Sequence, residues 1–253
     1  ALADPEVMAK LGGSPATEAA VSKALAFLAA QQEEDGRWDL GKNKGAAGHD
    51  VAATAFSLLA FYGRGERHDR DGKYRANVQR GLDWLLAQQN VATGDLRGPN
   101  PQGNAMYDQG IATLALVEAF GVTKDSALRP RAMAAIDFLA ESQHEEGGWR
   151  YKPGDRGDLS VSGWMVMALA SAEMSGIPVP EKTKAGVAKF LKLVSGGKHG
   201  GAYGYMDSPA KGGRGGNAMD AVGFFCAQLN GASANAARAF ESSLILNSAG
   251  FKL

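Results

Sequence analysis

Apolar residues recur at intervals of three and four positions in several stretches of the chain, a pattern that predicts amphipathic helices. Leu25, Phe27 and Leu28 follow this spacing, and Ile136 and Leu139 lie in a similar stretch further along. Other stretches are apolar nearly all round, such as VAATAFSLLAFYG at 51–63, which is typical of a helix buried on most faces. Because no β-branched run alternates with polar residues, the sequence predicts an all-α fold.

The chain contains an internal repeat. The stretch ALAFLAAQQEEDGRW at 24–38 aligns without a gap with AIDFLAESQHEEGGW at 135–149, and eight of the fifteen positions are identical. A third copy occupies 81–96, and a weaker fourth contains Phe190 and Tyr203. The repeating unit is therefore 52 to 58 residues long, within the range of helical repeat proteins.

Each unit has the pattern of a helical hairpin. A charged amphipathic helix comes first, a Gly-rich turn with an aromatic or apolar residue follows, and a nearly wholly apolar helix begins about twelve residues later. The apolar helices are expected to form an inner layer and the charged helices an outer one. A single domain over 1–253 is predicted to contain hairpins near 17–63, 75–121, 129–176 and 181–231, with terminal helices at 5–11 and 233–246.

The first turn carries a motif that gives the chain a family resemblance. Its residues are Lys23, Ala24, Phe27, Leu28, Gln32, Gly36 and Trp38. The copy at 80–96 differs in having Leu96 in place of the tryptophan, and the copy at 134–149 in having Ala134 in place of the basic residue. This spacing resembles the QW motif of the squalene and oxidosqualene cyclases, and the repeats resemble those of protein prenyltransferases. The resemblance covers roughly residues 17–230.

The resemblance implies an α/α toroid whose inner helices surround a central cavity. Since only four hairpins are counted, the ring is expected to be incomplete or to close with fewer units. In that family the motif ties the end of one outer helix to the next hairpin. The residues predicted to have this structural role are Gln32, Trp38, Gln89, Gln143 and Trp149.

The start of the first inner helix argues against standard cyclase chemistry. Asp50-Val51-Ala52-Ala53-Thr54-Ala55 is similar to the Asp-x-Asp-Asp-Thr-Ala stretch of squalene–hopene cyclases, whose middle aspartate protonates the polyprene. Ala52 stands at the place of that aspartate and carries no proton. The resemblance therefore suggests a protein that binds an apolar isoprenoid or lipid ligand in its cavity without the standard cyclase acid, and whether it is an enzyme stays open.

Polar and aromatic residues near the inner-helix starts are the candidate site. The candidate polar residues of the cavity are His49, Asp50, Asn104, Tyr107, Asp108, Ser162 and Asp220, and the candidate aromatic residues are Trp164 and Tyr205. Asp50, Asp108 and Asp220 are expected at equivalent places, where they would converge if the ring closes. The competing interpretation is helix capping, because Asp, Asn and Ser are preferred at helix N-termini.

A metal or cofactor is not predicted. The prenyltransferase resemblance would imply zinc bound by an Asp-x-Cys pair and a histidine, but the only cysteine, Cys226, lies in an apolar stretch six residues after Asp220. A buried free cysteine commonly serves as a small apolar side chain. Cys226 is therefore interpreted as part of the core.

Two other functions remain open. Some pectate lyases use a related helical toroid, and Arg150, Lys152 and Arg214 with Tyr151 and Tyr205 would be the candidates for polysaccharide chemistry. A non-catalytic domain that binds a peptide on its concave surface is the third possibility.

Charge and hydropathy limit the classes of partner that the sequence predicts. Lys and Arg total 27 and Asp and Glu total 27, so net charge gives no argument for a nucleic acid or an anionic membrane. The sequence lacks an apolar run of 18 residues, and no transmembrane segment is predicted. An apolar small molecule or a peptide is the expected partner, and the compartment is not predicted.

Overall fold

The computed structural model describes residues 9–10, 12–45, 47–211, 213, 215–233 and 236–248, and this part of the chain is mostly α-helical, as predicted. Its nine named α-helices are α1 (Pro15–Gln31), α2 (Asp50–Gly63), α3 (Arg75–Gln88), α4 (Met106–Thr123), α5 (Leu128–Glu141), α6 (Leu159–Ser175), α7 (Glu181–Val194), α8 (Asn217–Leu229) and α9 (Ala237–Ser248).

Burial separates the helices into two layers. Most residues of α4 and α6 are buried, whereas among the described residues of α1 only Leu25 is. The inner helices α2, α4, α6 and α8 contact one another in that order, and the outer helices α3 and α5 pack mainly against the inner helix of the preceding hairpin, α2 and α4 respectively. The predicted apolar inner layer is present in α2, α4 and α6, whereas α8 has only four buried residues, about as many as the outer helices α3, α5 and α7.

Two glycines allow the inner helices to approach closely. A Cβ atom on Gly110 of α4 would lie 2.8 Å from the sulfur of Met165 on α6, and a Cβ on Gly163 of α6 would lie 2.8 Å from Cγ1 of Val222 on α8. Glycine inside a helix costs about 0.5–1 kcal/mol relative to alanine. Close packing between the inner helices therefore explains why glycine occupies positions 110 and 163.

The glutamines of the repeat motif connect consecutive outer helices. Nε2 of Gln143 donates to the carbonyl of Gly147 in its own turn (2.9 Å) and to the carbonyl of Thr183 in α7 (3.1 Å). Gln32 makes the same pair of bonds one hairpin earlier, reaching Asn77 of α3. Nε2 of Gln89 donates to Arg131 of α5. The predicted structural role of these glutamines is confirmed.

The motif tryptophans have the predicted structural role as well. Nε1 of Trp38 donates to the carbonyl of Leu28 and Nε1 of Trp149 to that of Leu139, both over 2.8 Å. Both rings are buried. Each tryptophan therefore closes its turn onto the preceding outer helix while adding apolar area to the core.

Other features differ from the sequence predictions. Ser195–Gly196 and Ala202–Tyr203 form a two-stranded antiparallel ladder in the fourth turn, where the sequence predicted no strand; a ladder this short leaves no alternating pattern. Among the described residues the last helix is α9, which begins at Ala237, four residues later than predicted. The helix predicted at 5–11 lies largely outside the described residues. Closure of the ring stays a prediction.

Within the described residues, none of the helices has both the length and the apolarity needed to cross a bilayer.

Candidate functional site

His49 and Asp108 form a buried pair at the start of α2 and α4. Nδ1 of His49 lies 2.6 Å from Oδ2 of Asp108, and Oδ1 of Asp108 accepts the backbone N–H of Ala52 over 3.0 Å. The Asp108 side chain is 2 % exposed and that of His49 is 16 % exposed. With Asp108 ionised, Nδ1 of His49 is the donor and Nε2 is the basic nitrogen, an arrangement suited to proton transfer.

Burial of Asp108 raises the pKa of its carboxyl, and the bonds from His49 and Ala52 oppose that rise. The carboxyl accepts the backbone N–H of Ala52. An acid group from α4 therefore reaches the first turn of α2, which also contains Asp50.

The predicted set of equivalent aspartates has three different environments. Oδ1 of Asp50 accepts the N–H of Leu40, and Arg37 lies 3.4 Å from its other oxygen. Oδ1 of Asp220 instead accepts the N–H of Tyr203 over 2.7 Å. Because these partners differ from those of Asp108, the three carboxylates do not occupy equivalent positions.

Asp220 and Ser162 belong to a different repeated contact. In each of the four hairpins, a side chain of the inner helix accepts the backbone N–H of the residue at the motif's aromatic position. The pairs are Trp38 with Thr54, Leu96 with Gln109, Trp149 with Ser162, and Tyr203 with Asp220. All four accepting residues are buried, so Ser162 and Asp220 hold turns in place and do not line an open surface.

Four half-buried hydroxyls lie at the start of α6, and we call them the hydroxyl cluster: Tyr107, Tyr151, Ser160 and Tyr205. The Tyr107 and Ser160 hydroxyls are 2.8 Å apart, and those of Tyr151 and Tyr205 are 3.1 Å apart. The rings of Tyr107 and Tyr151 lie 6.3 Å apart between centroids, which joins the two pairs.

Backbone contacts position this cluster. The carbonyl of Tyr151 accepts the N–H of Met106 at the start of α4, and the carbonyl of Tyr205 accepts the N–H of Leu159 at the start of α6. The guanidinium of Arg156 also binds the carboxylate of Asp207, two residues after Tyr205. Loop residues are thus fixed against two inner helices.

An ion pair lies beside the hydroxyl cluster. Asp158 is fully buried and caps α6, since its Oδ1 accepts the N–H of Val161 over 2.8 Å. Its Oδ2 lies 3.5 Å from Nε of Arg150, whose guanidinium stacks on the ring of Tyr151. Burial raises the pKa of Asp158, while Val161, Tyr205 and Arg150 oppose that rise.

The same surroundings affect Tyr205. Burial raises the pKa of its phenol, and the Tyr151 hydroxyl and the negative charge of Asp158 raise it further. The phenol therefore keeps its proton at neutral pH and can act as a hydrogen-bond donor. Sequence analysis named Tyr205 but not Asp158, because Gly157-Asp158-Leu159 has the pattern of an ordinary helix cap.

One turn further along the inner helices, an aromatic pair replaces the polar groups. The rings of Phe56 on α2 and Trp164 on α6 meet edge to face with centroids 5.1 Å apart. Phe56 is 43 % exposed, and Trp164 and Met167 are half-buried. Ser160, Trp164 and Met167 share one face of α6 by their spacing, so polar and apolar groups follow each other along that face.

The remaining candidates lie apart from these groups. Asn104 is exposed in the turn before α4, where its carbonyl accepts the N–H of Tyr107. Cys226 is buried, which raises the pKa of its thiol to about 12. Among the described residues, no group of three or more His, Cys, Asp and Glu side chains is arranged to hold a metal ion.

The chain matches no family model, no curated protein and no solved structure.

Proposed function

We propose that this protein is a squalene-cyclase-like and prenyltransferase-like repeat protein that binds an apolar isoprenoid or lipid ligand along its inner helices. The proposal includes the toroidal arrangement that the QW-type motif suggests. The observation that supports it most is the aromatic pair, because Phe56 leaves nearly half of its surface in contact with solvent. Exposed apolar side chains that cluster on one face often mark binding sites.

The spacing of exposed groups supports a long ligand rather than a compact one. On α2, Ala53, Phe56 and Ala60 follow one another at helical intervals and each keeps some exposure. On α6, Trp164 and Met167 do the same. Residues three and four apart share a helix face, so an apolar chain can lie along both helices.

Standard cyclisation is not part of the proposal. Ala52 supplies no proton, and the carboxyl nearest to it, that of Asp108, is 2 % exposed and bonded to His49. We expect squalene to be bound and recovered unchanged. Efficient conversion of squalene to cyclic products would contradict this part of the proposal.

Titration with squalene and with geranylgeranyl diphosphate, followed by tryptophan fluorescence, tests the binding. Burying a phenylalanine side chain contributes about 1.5–3 kcal/mol, so Phe56→Ala is expected to weaken binding by about tenfold or more. Phe27→Ala is the matched control, since Phe27 is 60 % exposed on the outer helix α1. If neither ligand binds the wild-type chain, the proposal is wrong.

A polysaccharide-active enzyme is the second candidate. The observation in its favour is that Arg150, Tyr151 and Tyr205 lie together, with the guanidinium stacked on one phenol and the two hydroxyls 3.1 Å apart. Lys152 is exposed nearby, and Arg214 lies outside the described residues. Cleavage of polyuronates that is lost on chelation of calcium would favour this function over ligand binding.

A further inference from the structure

Two buried polar atoms at the start of α6 face each other as an ion pair and make no hydrogen bond of standard geometry among the described residues. They are Oδ2 of Asp158 and Nε of Arg150, and they lie 3.5 Å apart. A buried polar atom without a partner is unfavourable, and most such atoms in native proteins are bonded. A carboxylate only accepts and a guanidinium only donates, whereas a hydroxyl does both. A hydroxyl is therefore the group that would complement this pair.

The hydroxyl cluster has spare bonding capacity next to the ion pair. Each of its four hydroxyls can donate one bond and accept two. Within the cluster, one bond joins Tyr107 to Ser160 and one joins Tyr151 to Tyr205, and Arg150 also interacts with the Tyr151 hydroxyl. All four side chains keep some exposure. Tyr205 also interacts with the Asp158 carboxyl. A polar group entering from solvent would meet several neutral donors and acceptors at once.

The cluster and the aromatic pair are close enough for one ligand to contact both. Ser160 and Trp164 are one turn apart on α6, and on α4 Tyr107 is one turn from Gly110, whose missing side chain accommodates Trp164. One helical turn advances about 5.4 Å. A molecule longer than a few bonds therefore spans from the hydroxyls to the rings.

We infer that the ligand is an isoprenoid alcohol, whose hydroxyl binds the hydroxyl cluster while its hydrocarbon chain lies on Phe56 and Trp164. This inference rests on the proposed binding function and narrows its ligand class. A neutral hydroxyl fits better than a diphosphate. Arg150 is the cation that contacts the hydroxyl cluster, and its charge is already balanced by Asp158.

Geranylgeraniol and its methyl ether test the inference with the full chain. The ether keeps the hydrocarbon and the oxygen but cannot donate a hydrogen bond. Since a neutral hydrogen bond changes affinity by up to about tenfold, the alcohol is expected to bind about tenfold more tightly than the ether. Tyr205→Phe should bring this ratio towards one.

Tyr62→Phe is the matched control, because it removes a buried, unpartnered phenol from the far end of α2 and should preserve the ratio. Equal binding of alcohol and ether by the wild-type chain would overturn the inference alone and leave water as the partner of the ion pair. Absence of binding by alcohol, ether and squalene would overturn the proposed function as well. Binding of an oligogalacturonide in place of the alcohol would assign the cluster to carbohydrate.

Discussion

The glycine of each turn motif lies directly against the backbone of the next outer helix. Gly147 has φ of 92°, and a Cβ on it would lie 1.9 Å from the carbonyl oxygen of Gly186 in α7. Gly36 and Gly94 have the same relation to Arg80 and Ala134. The motif therefore requires glycine for two reasons, the left-handed backbone and the close approach of a helix.

We expect Gly147→Ala to destabilise the fold by about 3 kcal/mol or more, because both the backbone strain and the clash with α7 must be relieved. Gly176→Ala separates the two effects. Gly176 has φ of 82° but nothing within 4 Å of an added Cβ, so its loss should cost only the strain of about 1–2 kcal/mol. Urea unfolding of both variants measures the difference, and equal losses would mean that the contact with α7 contributes nothing.

The buried carboxyl of Asp158 gives a prediction for the pH dependence of stability. Burial raises its pKa above the ordinary value of 3.8. Between that value and the raised one, the folded chain holds a proton that the unfolded chain has released, so stability is greater below this window and falls as pH rises through it. Arg150 and Tyr205 are the charged and titratable groups that face the carboxyl.

Asp158→Asn should remove this pH-dependent part of the free energy of unfolding, because asparagine also caps helices well but does not titrate. Urea unfolding from about pH 4 to about pH 7 is expected to give a flatter profile for the variant than for the wild type. Asp108 and Asp220, whose pKa values are also raised, are unchanged in both proteins. Identical profiles would show that Asp158 has an ordinary pKa in the folded state.

At the scale of elements, the motif glutamines hold the outer layer together. The amide of Gln143 satisfies one carbonyl in its own turn and one in the next outer helix. We expect Gln143→Ala to lower the free energy of unfolding by about 1–3 kcal/mol, because two part-buried carbonyls lose their donor. Gln79→Ala is the control, since its amide bonds only the neighbouring Asp83 on α3 and should change stability little. Thermal and urea unfolding measure both; equal effects would contradict a connecting role for Gln143.

The elements that the sequence predicted are those with a repeated chemical signature. Gln32 and Gln143 keep their residue type and spacing from the glycine and tryptophan, so their shared structural role could be read from the pattern. The hydrogen bond from the inner helix to each turn's aromatic position could not be predicted from the sequence. The residues that accept it differ chemically between hairpins: Thr54, Gln109, Ser162 and Asp220. The sequence pattern therefore assigned Asp220 to the same repeat position as Asp50 and Asp108, which the structure does not support.

The hydroxyl cluster was only partly predictable for a related reason. Tyr107 lies at the start of an inner helix in the sequence, and Tyr205 lies in the loop before α8. Tyr151 and Arg150 precede α6 in its connecting loop and meet Tyr205 only because that loop is anchored on α4 and α6. Contacts between loops of different hairpins carry no periodic signal, so side-chain convergence of this kind needs the fold.

At the scale of the whole molecule, the inner helices form one continuous layer with a polar start and an aromatic turn beyond it. The sequence predicted the all-α architecture, since hydrophobic periodicity distinguishes inner from outer helices. Whether the layer closes into a toroid depends on small rotations between neighbouring hairpins, which composition and spacing do not encode. The central claim is that this layer binds an isoprenoid along α2 and α6.

Photolabelling tests that claim most directly. A geranylgeraniol analogue with a diazirine in its hydrocarbon chain is irradiated with the protein, and the labelled residues are mapped by mass spectrometry. Labels are expected on residues of α2 and α6 near Phe56 and Trp164. Excess unlabelled geranylgeraniol should suppress the labelling. Labels confined to outer helices such as α1 or α7, or spread evenly and insensitive to competition, would contradict the account.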